Sequence, residues 1–210
     1  MKKLPVIETL GEGISIGLKN LPSLFVAALL YILTIWIPYI NVGTTIAMYS
    51  IPGRLAKGEI ISPIFIFESR YRKNMALFLL LFAFVYFIIY MAALFLLIPA
   101  IVVGLALSLA FYIFLDEEIT PTEAMRRSNE ATYGNKWRIF FVNILYGACF
   151  ELVFLIIIFL THKILWLCIL LGIVLILALI PISQGIESVI YKKLYLEPKT
   201  SEQPAEEVEP

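Results

Sequence analysis

An all-α polytopic membrane bundle, with six spans in three hairpins and amphipathic helices on its inner face, is the fold this sequence predicts. Composition is the first reason. Of 210 residues 61% are hydrophobic and only 15% charged, where soluble domains carry about 25% charged residues. Such a chain lacks the polar surface that keeps a body dissolved. The second reason is a pair of long stretches, 21–53 and 75–115, without one charged side chain. The third is the gathering of Lys and Arg into the segments between spans. The 16 basic and 16 acidic residues cancel, which removes the positive footprint that nucleic-acid binding needs. Two cysteines, both inside apolar runs, are too few for a disulfide scaffold.

The elements follow in order. Ile7, Leu10, Ile14, Leu18 and Leu21 recur every three to four residues, with Glu8, Glu12, Ser15 and Lys19 opposite. That pattern predicts an amphipathic interfacial helix over 1–20, lying in the plane of the inner membrane surface. Lys2 and Lys3 are followed by Pro5 and Glu8 rather than an apolar run, so no cleavable signal peptide is read here. Segment 21–53 carries Pro38, Asn41 and Gly43 near its middle, the mark of a hairpin with spans at 21–38 and 41–53. Segment 75–115 as one helix would be about 60 Å long, twice the hydrocarbon core of a bilayer. Pro99 is the expected break, giving spans at 75–97 and 100–115. The last two spans, 139–161 and 164–190, flank His162 and Lys163. The membrane domain thus covers 21–196, and the Pro-, Ser- and Glu-rich residues 197–210 read as a disordered acidic tail.

Orientation comes from charge. With six spans and both termini inside, 15 of the 16 Lys and Arg residues face the cytoplasm, leaving Lys163 outside. Trp36 and Trp166 then fall at outer span ends and Trp137 at an inner one, the depths of aromatic belts.

An internal echo supports the hairpins. Residues 37–43 and 98–104 both read I-P-x-I-x-V-G, and each hairpin is followed by an acidic residue, Ile, and a Ser-Pro or Thr-Pro pair at 62–63 and 120–121. A hydroxyl before proline suits a helix N-cap and its first position, so each hairpin is expected to lead into an inner-face helix. The second of these is the better specified. Thr120 and Glu123 form a capping box, and Glu123–Arg127 and Arg126–Glu130 are i,i+4 pairs. Gly134 supplies a stop, while Ala124, Ser128 and Ala131 give one small face. Two readings stay open for it: a connector packed on the bundle, or a cytoplasmic docking helix using Glu123, Arg126, Arg127 and Glu130.

The order of features from 95 to 138 — Leu-Ile-Pro-Ala-Ile at 97–101, Tyr-Ile-Phe-Leu-Asp-Glu at 112–117, Ile-Thr-Pro-Thr-Glu-Ala-Met-Arg-Arg-Ser at 119–128, then Gly-Asn-Lys-Trp at 134–137 — resembles a bacterial family of six-helix integral membrane proteins. That family is similar to the membrane domain attached to some glycerophosphoryl diester phosphodiesterases. The resemblance implies a six-helix fold in the bacterial inner (cell) membrane and no activity, since the phosphodiesterase chemistry belongs to a separate soluble barrel.

Chemistry has few footholds. A lone His162 cannot build a metal cluster or catalytic dyad. Cys149 and Cys168 sit at different depths and read as packing residues. No phosphate-binding loop, nucleophile elbow or zinc-protease motif occurs. Asp116, Glu117 and Glu118 read as members of an ion-pair cluster with Arg126 and Arg127 rather than as a cation site. No catalytic residue, cofactor or metal is expected. The favoured reading is a non-catalytic accessory or scaffold protein that binds a protein partner or lipid through its cytoplasmic-face helices. The alternative is a small transporter or channel around an intramembrane polar group drawn from Asn143, Glu151, Gln184 and Glu187, with Asn143, Gly147 and Glu151 expected on one inward-turned helix face.

Overall fold

The structure, a computed structural model, describes residues 3–161 and 163–202. The outer-turn His162 and tail residues 203–210 lie outside the described residues. Within them the chain is helical throughout, without a strand. The elements are α1 (Val6–Lys19), α2 (Leu21–Thr34), α3 (Ile40–Ala56), a 3-10 turn (Pro63–Phe67), α4 (Arg70–Lys73), α5 (Met75–Phe95), α6 (Leu97–Leu107), α7 (Ala110–Glu117), α8 (Pro121–Thr132), α9 (Lys136–Thr161) and α10 (Leu165–Tyr191). A π turn (Lys192–Leu196) then leads into α11 (Glu197–Glu202). Four helices are long and apolar enough to cross a membrane: α5, α6 with α7, α9, and α10 with its extension. The bent pair α1–α2 makes a fifth only if its two arms, 73° apart, are one span.

Packing is concentrated at the end of the bundle where Ile113 and Tyr191 lie. Leu24, Ala27, Ile46, Ile51, Phe65, Phe78, Leu109, Ile113, Ile186 and Tyr191 form one buried core. The ring of Tyr49 lies 4.8 Å from Phe111 and 5.5 Å from Phe78. Towards the opposite end the helices show their apolar side chains outward, so that only Phe78, Leu81 and Val85 of α5 are buried. Hydrocarbon is as good a neighbour to these groups as another helix, so the splayed half loses nothing by exposure to lipid.

Several expectations are revised by this packing. The first hairpin does not match the others in reach. A Cβ added at Gly53 would lie 3.9 Å from the Tyr191 ring. From Gly53 back to Ile40 is about 20 Å of helix, while α10 continues about 39 Å from Tyr191 to Leu165. Arg72, just before α5, packs against Gly43, with Cγ 3.0 Å from where a Cβ would stand. Helices α2 and α3, which stand where spans are expected at 21–38 and 41–53, are not among the helices long and apolar enough to cross a membrane on their own. Helix α1 runs antiparallel along α10, meeting it through Glu8 and Glu12 on Lys193, Gly13 on Ile186, and Gly17 on Pro181 and Ile182. The buried face of α1 is Thr9, Gly13 and Gly17, and the apolar stripe of Ile7, Ile14 and Leu18 faces outward. At Gly185 the two backbones are closer than any side chain permits, for a Cβ there would lie 2.2 Å from the Gly13 carbonyl oxygen.

Pro99 is not the break in 75–115. The chain turns at the extended Leu96, and Pro99 sits in the first turn of α6, where an N–H has no helical partner to lose. A second break at Ser108–Leu109 was not expected. The Ser128 hydroxyl of α8 fills it, accepting from the Leu109 N–H (3.1 Å) and donating to the Ala106 carbonyl (2.8 Å). Ser108 turns back on Leu105 at 2.9 Å. The echo at 62–63 and 120–121 yields unequal products, a 3-10 turn uncapped by Ser62 and a twelve-residue α8 capped by Thr120. Residues 197–202, expected in the disordered tail, form α11 instead, held by Lys199 on Glu117 and Thr200 on the Leu196 carbonyl.

Candidate functional site

Helix α8 starts where the capping box places it. Glu123 N–H donates to the Thr120 hydroxyl at 3.4 Å, and Gly134 takes positive φ just past the end. Ala124, Ser128 and Thr132 are buried against α6 and α7. The four docking candidates are engaged with one another. Arg126 pairs with Glu123 (2.7 Å) and Glu130 (2.5 Å), and Arg127 pairs with Glu123 (2.7 Å) and Glu117. Hydrogen bonds from Arg126, then from Arg127, hold the half-buried Glu123 carboxyl down to about 2. The Glu123 contact pushes Arg126 above its usual value, and Arg127 is raised first by the Tyr195 hydroxyl and then by Glu123. The connector reading accounts for every charge here.

The acidic run 116–118 divides three ways. Asp116 takes Lys57 and the Tyr191 hydroxyl, the latter at 2.9 Å. Glu117 takes Arg127, Lys199 and the Tyr195 hydroxyl at 2.7 Å. Glu118 caps α7 with φ +52, a left-handed conformation normally left to Gly or Asn. Its carboxylate has no ion pair or hydrogen bond among the described residues. No three acidic, Cys or His side chains among the described residues are placed to hold a metal.

Glu118 borders a cavity of about 230 Å³ between α3, α4 and α7. Its wall carries three cations, Arg54, Lys57 and Arg70, and three acids, Glu59, Asp116 and Glu118. The Tyr71 hydroxyl is the hub, taking hydrogen bonds from Arg70 (2.7 Å), Ser50 (2.9 Å) and Arg54 (3.4 Å). Arg54 also pairs with Glu59 at 2.7 Å, and Arg70 with Glu68 at 2.8 Å. Each cation thus has an acidic partner, and Glu118 is the acid left over. Both arginines lie over rings, Arg54 over Phe65 at 5.3 Å and Arg70 over Tyr71 at 4.8 Å. Sequence reading missed this cavity because its residues come from 46–74 and 112–118 and no motif links them. The signal available was the density of paired basic and acidic residues at 54–73, counted only for orientation.

The intramembrane candidates do not converge. Asn143 and Glu151 are exposed on the outer face of α9, and no atom stands within 4 Å of a Cβ at Gly147. Gln184 and Glu187 are half-buried on α10. None of the four makes a hydrogen bond or ion pair among the described residues. The inward face of α9 carries Ile139, Val142 and Tyr146 instead, with the Tyr146 hydroxyl on the Leu179 carbonyl at 3.0 Å. The inward turn expected for the 143–147–151 face is therefore corrected. Cys149 is exposed too, not packed. No family model matches this chain, and no curated protein or solved structure matches it.

Proposed function

We propose that this chain is a non-catalytic membrane scaffold that holds a zwitterionic lipid head group, one bearing both phosphate and ammonium, in its inner-end cavity. The mixed lining carries the reading. A cavity with cations alone would favour a bare anion; here the arginines about Tyr71 suit a phosphate while Glu118 stands without a counter-charge and suits an ammonium. The self-paired charges of α8 support a scaffold whose inner face is occupied by its own contacts rather than offered to a soluble protein.

In this proposal the chain sits in a bacterial cell membrane with both termini cytoplasmic. Four helices cross fully, and α2–α3 enters and leaves from the inner side, which still keeps 15 of 16 basic residues inside. Six helices in this order remain in keeping with the six-helix family that residues 95–138 resemble. A transporter around Glu151 finds no support, because the polar groups it would need stand apart.

Native mass spectrometry of the purified chain released from mixed nanodiscs tests the proposal. Phosphatidylethanolamine should be retained over phosphatidylglycerol, and Glu118→Gln should abolish that preference. Equal retention of the two lipids by the wild type refutes it. Topology is read separately: a cysteine replacing Trp36 should resist an impermeant maleimide applied from outside, while one replacing Leu96 should label.

A further inference from the structure

Glu151 lies ten residues, about 15 Å, before the outer end of the 26-residue α9, near the middle of a bilayer about 30 Å thick. It faces away from the molecule. The flank of α9 that meets the rest of the chain is set by Ile139 and Val142, by Tyr146 on Leu179, and by Phe154 beside Gly172. Glu151 belongs to another stripe, with Ile144, Ala148 and Leu155 at offsets of four, seven and eleven residues along the helix. All four are exposed, Ile144 by 48% and Leu155 by 53%. That spacing is the seam by which two helices pack side by side, and Ala148 at its centre lets a neighbour come close. The chain has no counter-charge to offer there, since segments 75–115, 139–161 and 164–190 contain no Lys or Arg. A charge at that depth facing hydrocarbon is costly, and pairing is what relieves it.

We propose that the outward seam of α9 docks a separate membrane-spanning helix carrying one Lys or Arg at mid-depth, with Glu151 as its ion-pair partner. Charge complementarity selects this occupant. In one membrane two copies of this chain share an orientation, so a copy would present Glu151 to Glu151 at equal depth and leave both acids without a cation. The seam and the inner-end cavity lie on different elements, and neither proposal depends on the other.

The test uses the full-length chain in phosphatidylcholine vesicles with designed single-span helices of leucine and alanine. One carries Lys at its centre, one Leu there, and one Lys a few residues from its end. Energy transfer between labels reads association. The central-Lys helix should bind about 100-fold more tightly than the other two, the factor that corresponds to leaving one charge unpaired at the bilayer centre. Glu151→Leu should erase that advantage, and it should leave the melting temperature unchanged because the site is exposed. Three results overturn the proposal: equal binding of the central-Lys and Leu helices, an advantage that survives Glu151→Leu, or a wild-type dimer that Glu151→Leu dissolves.

Discussion

Replacing Gly185 by Ala probes the close approach of α10 to the backbone of α1. The new methyl would lie 2.2 Å from the Gly13 carbonyl oxygen, 2.7 Å from Gly17 N and 3.1 Å from Gly17 Cα. All three atoms belong to the backbone of α1, so no side chain can swing aside. Helix α1 has to withdraw by about 1 Å, weakening the Glu8 and Glu12 bridges to Lys193 and opening the face of Thr9, Gly13 and Gly17. Overpacking of this kind costs about 1–3 kcal/mol, and backbone against backbone belongs at the upper end. Alanine returns up to about 1 kcal/mol in helix propensity, leaving a net loss of about 2 kcal/mol. For a chain of this size that is a fall of about 4–8 °C in melting temperature. Gly11→Ala is the matched control: nothing lies within 4 Å of its Cβ, so only the propensity gain applies and the melt should rise. Both are read by thermal unfolding in detergent, with tryptic cleavage at Lys19 reporting release of α1. If Gly185→Ala melts with the wild type and Lys19 stays protected, α1 does not pack on α10 through these glycines.

Three further outcomes are expected. Ser128→Ala leaves the Leu109 N–H unpaired in the α6–α7 break and should cost about 1–3 kcal/mol in a thermal melt. Thr9→Val removes a buried hydroxyl that has no partner and should stabilise the chain by about 1 kcal/mol in the same assay. Glu123 has a folded value lowered to about 2 from an ordinary 4.5, so its contribution is present above about 4.5 and is lost as pH falls towards 2; carboxyl NMR of a Glu-labelled sample should show the Glu123 resonance titrating well below the ordinary glutamate value of 4.5.

Much of the helix inventory was legible. The starts of α5 and α8, the cap at Thr120 and the turn at 163–164 follow from runs of apolar residues and from local hydrogen-bond chemistry, which neighbours in sequence control. What was not legible depends on distant partners. Glycines 13, 17 and 185 read as ordinary residues until α1 and α10 are brought together. The break at 108–109 needs a hydroxyl 19 residues away. The cavity collects cations and acids from 54–70 and 116–118, and the packing of the first hairpin rests on what Gly53 and Gly43 touch. Glu151 was misread because a polar residue in a span was assigned to the interior of its own bundle, whereas its helix turns other residues inward.

The Ser128 wedge has a bearing on the order of events during synthesis. A straight helix would satisfy the Leu109 N–H and the Ala106 carbonyl by itself, so the bend between α6 and α7 is not encoded in residues 97–117. It exists only once residue 128 has been made and brought back against them. Until then the segment Leu97–Glu117 is a plain 21-residue apolar rod, the form that inserts into a membrane most simply. The kink is a later acquisition, conferred by a polar helix that never has to enter the hydrocarbon to impose it.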